Sequence, residues 1–421
     1  MRSEPMVIQA VRLAFFGALI AGIGLAVDAA AAPAAGDSLP IATDARVGGD
    51  DTQTRFIVDL SRKIDLHVFT LADPYRVVLD IPQVTFRLPP KAGETGRGLI
   101  KAFRFGLVMA AGSRIVIDLA KPARVDEAFV VDAADGAPAR LVLDLAATDR
   151  ENFLRKIVLD QRFGHAQAPS PPPPPPREQQ SLSGDTRPVI VLDPGHGGID
   201  TGTKGPNGQM EKDIVLDFAK RLEEKIEAAG KYRVLLTRSD DTFVPLAERV
   251  RFAREASAAL FMSIHADSLP HREGDAQGAT VYTLSETATD PAAARLAEQE
   301  NRADVIAGVD LKEQPEDVAG ILIDLAQRET KTFSVEFANK LVGVIKRTAR
   351  LHREPIKSAG FRVLRAPDVP SVLLELGYVS NKEDLQSLLS DSWRDHTAAA
   401  IAAAIDSYFS THLAGAREGG N

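Results

Sequence analysis

An unbroken run of prolines, Pro171 to Pro176, divides the 421-residue chain into two parts with different periodicities. Such a run has no amide hydrogen to give to a helix or a sheet and favours the extended polyproline II conformation, so it belongs to no core element. Ala168-Pro169-Ser170 leads into it and Arg, Glu, Gln, Ser and Gly follow. Segment 159–187 is therefore read as a Pro-rich, semi-rigid linker between separately cored units. Length agrees, because 421 residues exceed what one ordinary core holds.

Before the linker, one pattern recurs. Arg55 to Leu60, Arg76 to Ile81, Arg114 to Leu119 and Arg140 to Leu145 each enclose an aliphatic or β-branched run between an Arg and an Asp. Runs of this kind, separated by Pro, Gly and Asp-rich turns and with no helical period, predict a small all-β sandwich over 36–158. The Arg and Asp residues are read as cross-strand ion pairs on a solvated face, worth about 0–1 kcal/mol each.

Residues 1–33 carry Arg2 and Arg12, then the apolar run Leu13 to Val27, then Ala29 to Ala32. That is the pattern of a signal peptide, which places the mature protein in the periplasm with no membrane span after cleavage. The formal net charge of −8, with no clustered Lys/Arg stripe, excludes nucleic acid as the expected partner. With no cysteine, disulfides and thiolate metal sites are both ruled out. Any metal must sit on imidazole and carboxylate.

After the linker, strand and helix patterns alternate. Strands are expected near 189–193, 232–238, 259–265, 278–284, 361–365 and 371–376, and helices near 211–229, 245–257, 331–350 and 391–412. This predicts an α/β domain over 188–414, with a mostly parallel sheet covered by helices. Two apolar runs end in histidine, one in Asp193-Pro194-Gly195-His196-Gly197-Gly198 and one in Ser263-Ile264-His265-Ala266-Asp267. Both imidazoles thus fall at carboxyl ends of strands, where open α/β sheets build sites. Glu211 follows a Gly-rich loop. Two imidazoles, one carboxylate and a position left to water make the ligand set of a hydrolytic zinc centre. On position alone, though, Glu211 is equally a first-turn acid favoured by the helix dipole. Glu375 interrupts the apolar strand Pro370 to Tyr378. A lone carboxylate there is costly unless paired, and beside a metal-bound water it is suited to general base and acid work. His67, His165, His352, His396 and His412 read as surface or structural, and His271 as a loop residue able to reach substrate.

Together these ordered fragments resemble the zinc-dependent N-acetylmuramoyl-L-alanine amidases of the cell-division type, over roughly residues 187 to 413. The resemblance implies zinc on His196, Glu211 and His265, with Glu375 as general base and acid. It also implies a substrate, peptidoglycan, cut between N-acetylmuramic acid and the L-alanine of the stem peptide during cell separation. The repeats ahead of the linker resemble the AMIN domain, a targeting module that accompanies such amidases. Two other readings stay open: a non-catalytic peptidoglycan-binding scaffold, and a zinc peptidase cutting within the stem peptide.

An insertion of about 286–330 lies between the strand ending near Leu284 and the helix beginning near Lys331. Asp290-Pro291 is a helix start, and the helix is expected to run to about Gly308. Val318, Ile321, Leu322 and Leu325 then form an apolar stripe at helical spacing, which either packs on the domain or awaits a partner. The resembled family includes members in which such an insertion covers the active site and is moved by an activator protein. That implies autoinhibition here, with an activator on the insertion and Glu298 or, preferably, Glu300 reaching the open zinc position.

Overall fold

The Arg/Asp repeats become the central strands of both sheets of a β sandwich. The computed structural model describes residues 39–108, 112–134, 136–164, 185–268, 277–309 and 321–418. The expected signal peptide, the proline run, His165, His271 and Val318 lie outside the described residues, as do the side chains of Ile321, Leu322, Leu325 and His412. The N-terminal strands are β1 (Ile41–Gly49), β2 (Gln53–Leu60), β3 (His67–Leu71), β4 (Arg76–Pro82), β5 (Thr85–Phe86), β6 (Ile100–Leu107), β7 (Gly112–Leu119), β8 (Ala123–Val131) and β9 (Ala139–Ala147). One sheet has the order β5-β1-β2-β9-β8 and the other β3-β4-β7-β6. In the antiparallel register, the Arg opening one repeat faces the Asp closing its partner: Arg55 faces Asp144 and Arg140 faces Asp59 in the first sheet, Arg76 faces Asp118 and Arg114 faces Asp80 in the second. Ion pairs close at 2.6 Å (Arg55–Asp144), 3.2 Å (Arg140–Asp59) and 2.5 Å (Arg114–Asp80).

Because strand side chains alternate faces, every second residue of each repeat points into the sandwich. Phe56, Val58 and Leu60, then Val77, Leu79 and Ile81, then Ile115, Ile117 and Leu119, then Leu141, Leu143 and Leu145 fill one core, each side chain contributing about 1.5–3 kcal/mol on burial. A helix not foreseen from the sequence, α1 (Arg150–Gly164), adds Phe153 and Ile157 to it.

The second part is the expected α/β domain. Its elements are β10 (Val189–Pro194), α2 (Glu211–Glu227), β11 (Arg233–Leu236), α3 (Leu246–Glu255), β12 (Leu260–His265), β13 (Ala279–Leu284), α4 (Pro291–Glu300), α5 (Ala303–Ile306), α6 (Ile321–Ile345), β14 (Leu351–Ala359), β15 (Ser371–Glu375), α7 (Lys382–Leu388) and α8 (Asp391–Glu418). The sheet order is β11-β10-β12-β15-β13-β14, parallel at every step except β13 with β15. Ile190, Leu192, Met262, Ile264, Val372 and Leu374 pack with side chains of α2, α6 and α8 on one face. Val191, Phe261 and Leu373 pack with side chains of α3 and α4 on the other, which is why these strands read as continuous apolar runs. Among the described residues no helix is long and apolar enough to cross a membrane.

Three expectations are corrected. The strand expected at 361–365 is a 3-10 turn, Arg362–Leu364, and the edge strand is β14 instead. Arg353, Glu354, Pro355 and Lys357 had hidden β14, and charge and proline are what edge strands carry. The helix expected at 331–350 begins earlier and spans Ile321–Ile345. The single helix expected from Asp290 to Gly308 breaks into α4 and α5. Asn301, at the break, turns its side chain to the backbone, donating to Gly360 O at 2.9 Å and accepting from Arg362 N at 2.8 Å.

The two parts also share a core. Leu71, Val78 and Val116 of the second sheet are buried in one cluster with Ile199, Phe243, Ala303 and Ala307. Backbone contact adds to this, since Phe243 N donates to Leu107 O at 3.3 Å.

Candidate active site

β10 and β12 lie side by side and parallel, so the residues following each emerge at the same sheet end. Past β10 the chain turns sharply, and His196 itself sits at φ 58°. Two buried arginines hold this turn by its carbonyls. Arg238 donates to Pro194 O at 2.9 Å and Gly195 O at 2.7 Å, and Arg249 of α3 donates to Pro194 O at 2.9 Å and His196 O at 2.7 Å. Arg249 also meets the buried carboxylate of Asp193 at 2.8 Å. Burial and then the neighbouring Arg249 charge bring the Arg238 guanidinium down to about 10. Gly195 is required by close approach: a Cβ there would lie 2.4 Å from His265 Cε1.

The turn aims His196 Nε2 at the same point as His265 Nδ1. Both nitrogens are buried and have no hydrogen-bond partner among the described residues. Glu211 Oε1, at the first turn of α2, lies 3.2 Å from the former and 3.3 Å from the latter. Its carboxylate is held in place by Ala266 N at 2.8 Å on Oε1 and Thr203 N at 2.9 Å on Oε2. From the other side Glu300 Oε2, the last residue of α4, reaches 3.2 Å from His265 Nδ1 and 3.7 Å from His196 Nε2. The donor atoms of His196, His265 and Glu300 all lie within 4.8 Å of one another. Two unpartnered ring nitrogens and two carboxylates converging on one point fit a cation of the imidazole and carboxylate type.

His196 Nδ1 lies 2.9 Å from Asp200 Oδ2. With that proton given to Asp200, Nε2 carries the lone pair, the usual arrangement for orienting a metal ligand. Burial pushes the His196 imidazole down, but the carboxylates of Glu211, Asp200 and Glu300 outweigh it and hold it well above its ordinary range. Burial would raise Glu211, yet the two histidines keep it well below the carboxylate range.

In β15, Glu375 is paired in register with His265 and is fully buried. Its Oε2 accepts from Asp267 N at 3.1 Å, and its Oε1 has no hydrogen-bond partner among the described residues. Burial first, then the charges of Glu211, Asp267 and Glu300, push its carboxyl well above the usual range. Asp267 is driven up to about 7 by burial and by Glu211 and Glu300. Gln299 Nε2 donates to both Asp267 oxygens at 2.8 Å.

His196, Glu211, His265, Glu375 and Glu300 are therefore brought together. Glu298 is not: it is exposed and pairs with Arg302. Asp193, Asp200, Arg249, Asp267 and Gln299 went unassigned from the sequence. Asp193, Asp200 and Asp267 had a local signal, lying within four residues of His196 or His265. The cavity bordered by His196, His265 and Glu300 measures about 10 Å³. A single water needs roughly 10–15 Å³, so this space beside Glu300 holds at most about one water.

Such a site, at the carboxyl ends of parallel strands beside a protonatable carboxyl, defines a hydrolase domain able to hold a metal ion. The family profile of N-acetylmuramoyl-L-alanine amidases matches residues 190–407, and that of the AMIN domain matches residues 44–145. N-acetylmuramoyl-L-alanine amidase AmiC of Escherichia coli O6:H1 is 34% identical over 382 residues, covering 89% of this chain and 91% of that protein. AmiC of Neisseria meningitidis serogroup B is 33% identical, with 89% and 91% covered. A solved structure, AmiC2 of Nostoc punctiforme, aligns with 54% of this chain and 99% of that chain at 29% identity and a TM-score of 0.39. The chain belongs to the N-acetylmuramoyl-L-alanine amidase family of peptidoglycan hydrolases, in the form that carries an AMIN domain.

Proposed function

We propose that this protein is an exported, zinc-dependent amidase that detaches stem peptides from peptidoglycan during cell separation and is held closed by its own α4. The pair of buried, unpartnered imidazole nitrogens carries the reading. His196, Glu211 and His265 are the zinc ligands, and Asp200 orients His196. Zinc supplies polarisation of the scissile carbonyl and acidification of a water. Glu375 does the proton work. Its unpartnered Oε1 takes a proton from the attacking water and returns it to the departing alanine nitrogen, and its raised pKa suits both directions. Asp267 N fixes the carboxyl through the other oxygen.

Glu300 occupies the side of the histidine pair that substrate would need, and Gln299 ties up Asp267 next to it. An activator protein docking on the 286–330 insertion would have to draw both side chains away, a population shift driven by its preference for the open form. The AMIN domain targets the enzyme to the wall or the division site, and residues 1–33 direct export to the periplasm.

The test is digestion of purified peptidoglycan with intact protein and with Glu300→Ala, each with and without chelator, followed by mass spectrometry of the new termini. The expected products are glycan with free lactyl carboxylates and peptides beginning at L-alanine, made faster by Glu300→Ala and abolished by chelator. Cuts within the stem peptide, or products that persist in chelator, overturn the reading.

A further inference from the structure

The outward residues of the second AMIN sheet do more than pair with each other. Arg76, Arg104 and Arg114 stand on the neighbouring strands β4, β6 and β7. Each reaches a backbone carbonyl just beyond the blocking helix. Arg76 Nη1 donates to Val305 O at 2.5 Å, Arg104 Nε to Ile306 O at 2.6 Å, and Arg114 Nη1 to Ala307 O at 3.0 Å and Gly308 O at 2.9 Å. These carbonyls lie at and just past the carboxyl end of α5, which welcomes positive charge. Asp118 holds the Arg104 guanidinium, and Asp80 holds that of Arg114 at 2.5 and 2.8 Å, so the donors arrive aligned. Beneath them the contact is apolar. Gly308, at φ 68°, lies so close that a Cβ would come within 3.0 Å of Val116 and 3.1 Å of Val78.

The same segment is fixed to the catalytic domain as well. Asp304 Oδ1 accepts from Leu246 N at 2.9 Å, capping α3, the helix that supplies Arg249 to the His196 turn. Glu300 is thus separated by only a few residues from a stretch gripped on both sides.

We propose that this face of the AMIN domain is the docking surface of the inhibitory segment, so that the domain is one jaw of the lock on the active site as well as a targeting module. The inference rests on the reading of Glu300 as the block. The ligand this face recognises is a helix end presenting consecutive carbonyls over a glycine, supplied here by Ala303 to Gly308. Opening the enzyme then requires the arginines to release the segment, and whatever loosens that grip favours the active form.

The experiment uses the full chain in two variants that attack the grip from opposite sides: Arg104→Ala with Arg114→Ala together, and Gly308→Val, which leaves the AMIN domain untouched. Hydrogen exchange of peptides within 291–309, zinc content and peptidoglycan hydrolysis without any partner are measured against wild type and Glu300→Ala. Losing hydrogen bonds to charged donors is expected to speed exchange in 291–309 by about tenfold or more, and to raise basal hydrolysis by a similar factor at unchanged zinc content. If Glu300→Ala is activated but both folded grip variants keep wild-type exchange and wild-type hydrolysis, the docking proposal falls and the block stands. If Glu300→Ala is itself no faster than wild type, the block falls, and the lock with it, even where the grip variants exchange faster.

Discussion

Arg249→Met tests whether the turn bearing His196 is held by a buried charge. Arg249 is 2% exposed and donates to Asp193 Oδ1 at 2.8 Å and to the carbonyls of Pro194, His196 and Val244 at 2.9, 2.7 and 2.8 Å. Methionine fills much of the space and removes every one of these donors. Asp193 is left buried with the hydroxyls of Thr237 at 2.6 Å and Ser263 at 2.7 Å. Removing one partner of a buried pair costs about 3–5 kcal/mol, and the carbonyls of His196 and Val244, which lose the same donor, place this site at the upper end. Trp393 is the only tryptophan and lies in α8 with its ring 6.2 Å from Phe218, so its fluorescence follows unfolding of the catalytic domain. At a urea slope of about 2.5 kcal/mol per M, the midpoint should fall by about 1–2 M at pH 7.

The pH dependence has a definite sign. Burial opposes the charge on Asp193, but Arg249, Thr237 and Ser263 hold its carboxyl below the usual range. In wild type its contribution is therefore fully present above the unfolded value of about 3.9 and is lost as pH falls through the lower folded value. Without Arg249 burial dominates, the folded value rises above the unfolded one, and protonation relieves the variant as pH falls. The gap between the two proteins should narrow between pH 7 and about pH 4. A midpoint shift under about 0.3 M, or a gap that does not change with pH, would refute the reasoning.

Loss of either imidazole, in His196→Ala or His265→Ala, should abolish zinc retention measured by metal analysis. Glu375→Gln should keep zinc and lose turnover by about 10²–10⁴-fold, and full activity in it would sink the assigned proton role. Gly195→Ala should displace the His265 ring, because the added Cβ would come 2.4 Å from it, and chelator competition should then read a zinc affinity lower by about 10–100-fold. Asp200→Ala frees the His196 ring and should cost a comparable factor in the same assay.

Much of this was legible because the catalytic fragments announce themselves locally. A histidine ending an apolar strand and a carboxylate inside one, as in β12 and β15, are visible without a fold. What stayed hidden depends on distance in sequence. Arg249 reaches Asp193 across 56 positions, and the arginines of the AMIN sheet reach the 305–308 carbonyls across 193 to 229 positions. The Arg/Asp repeats were read as solvated ion pairs. That holds for Arg55, which is 57% exposed at its side chain, but not for Arg76, which is 4% exposed. The two sheets share one pattern, and only the packing of the catalytic domain on the second tells them apart. The insertion helix broke early because Asn301 found tertiary partners stronger than its local preference.

Val78 and Val116, fully buried against the catalytic domain, give that packing a practical consequence. A fragment ending at the linker would present them, with Leu71, to water as a new adhesive patch. A fluorescent fusion of the AMIN domain alone would then report stickiness together with address, and its map of the cell would not be that of the intact enzyme. Truncation removes one jaw of the clamp and at the same stroke exposes a surface that the closed parent chain keeps covered.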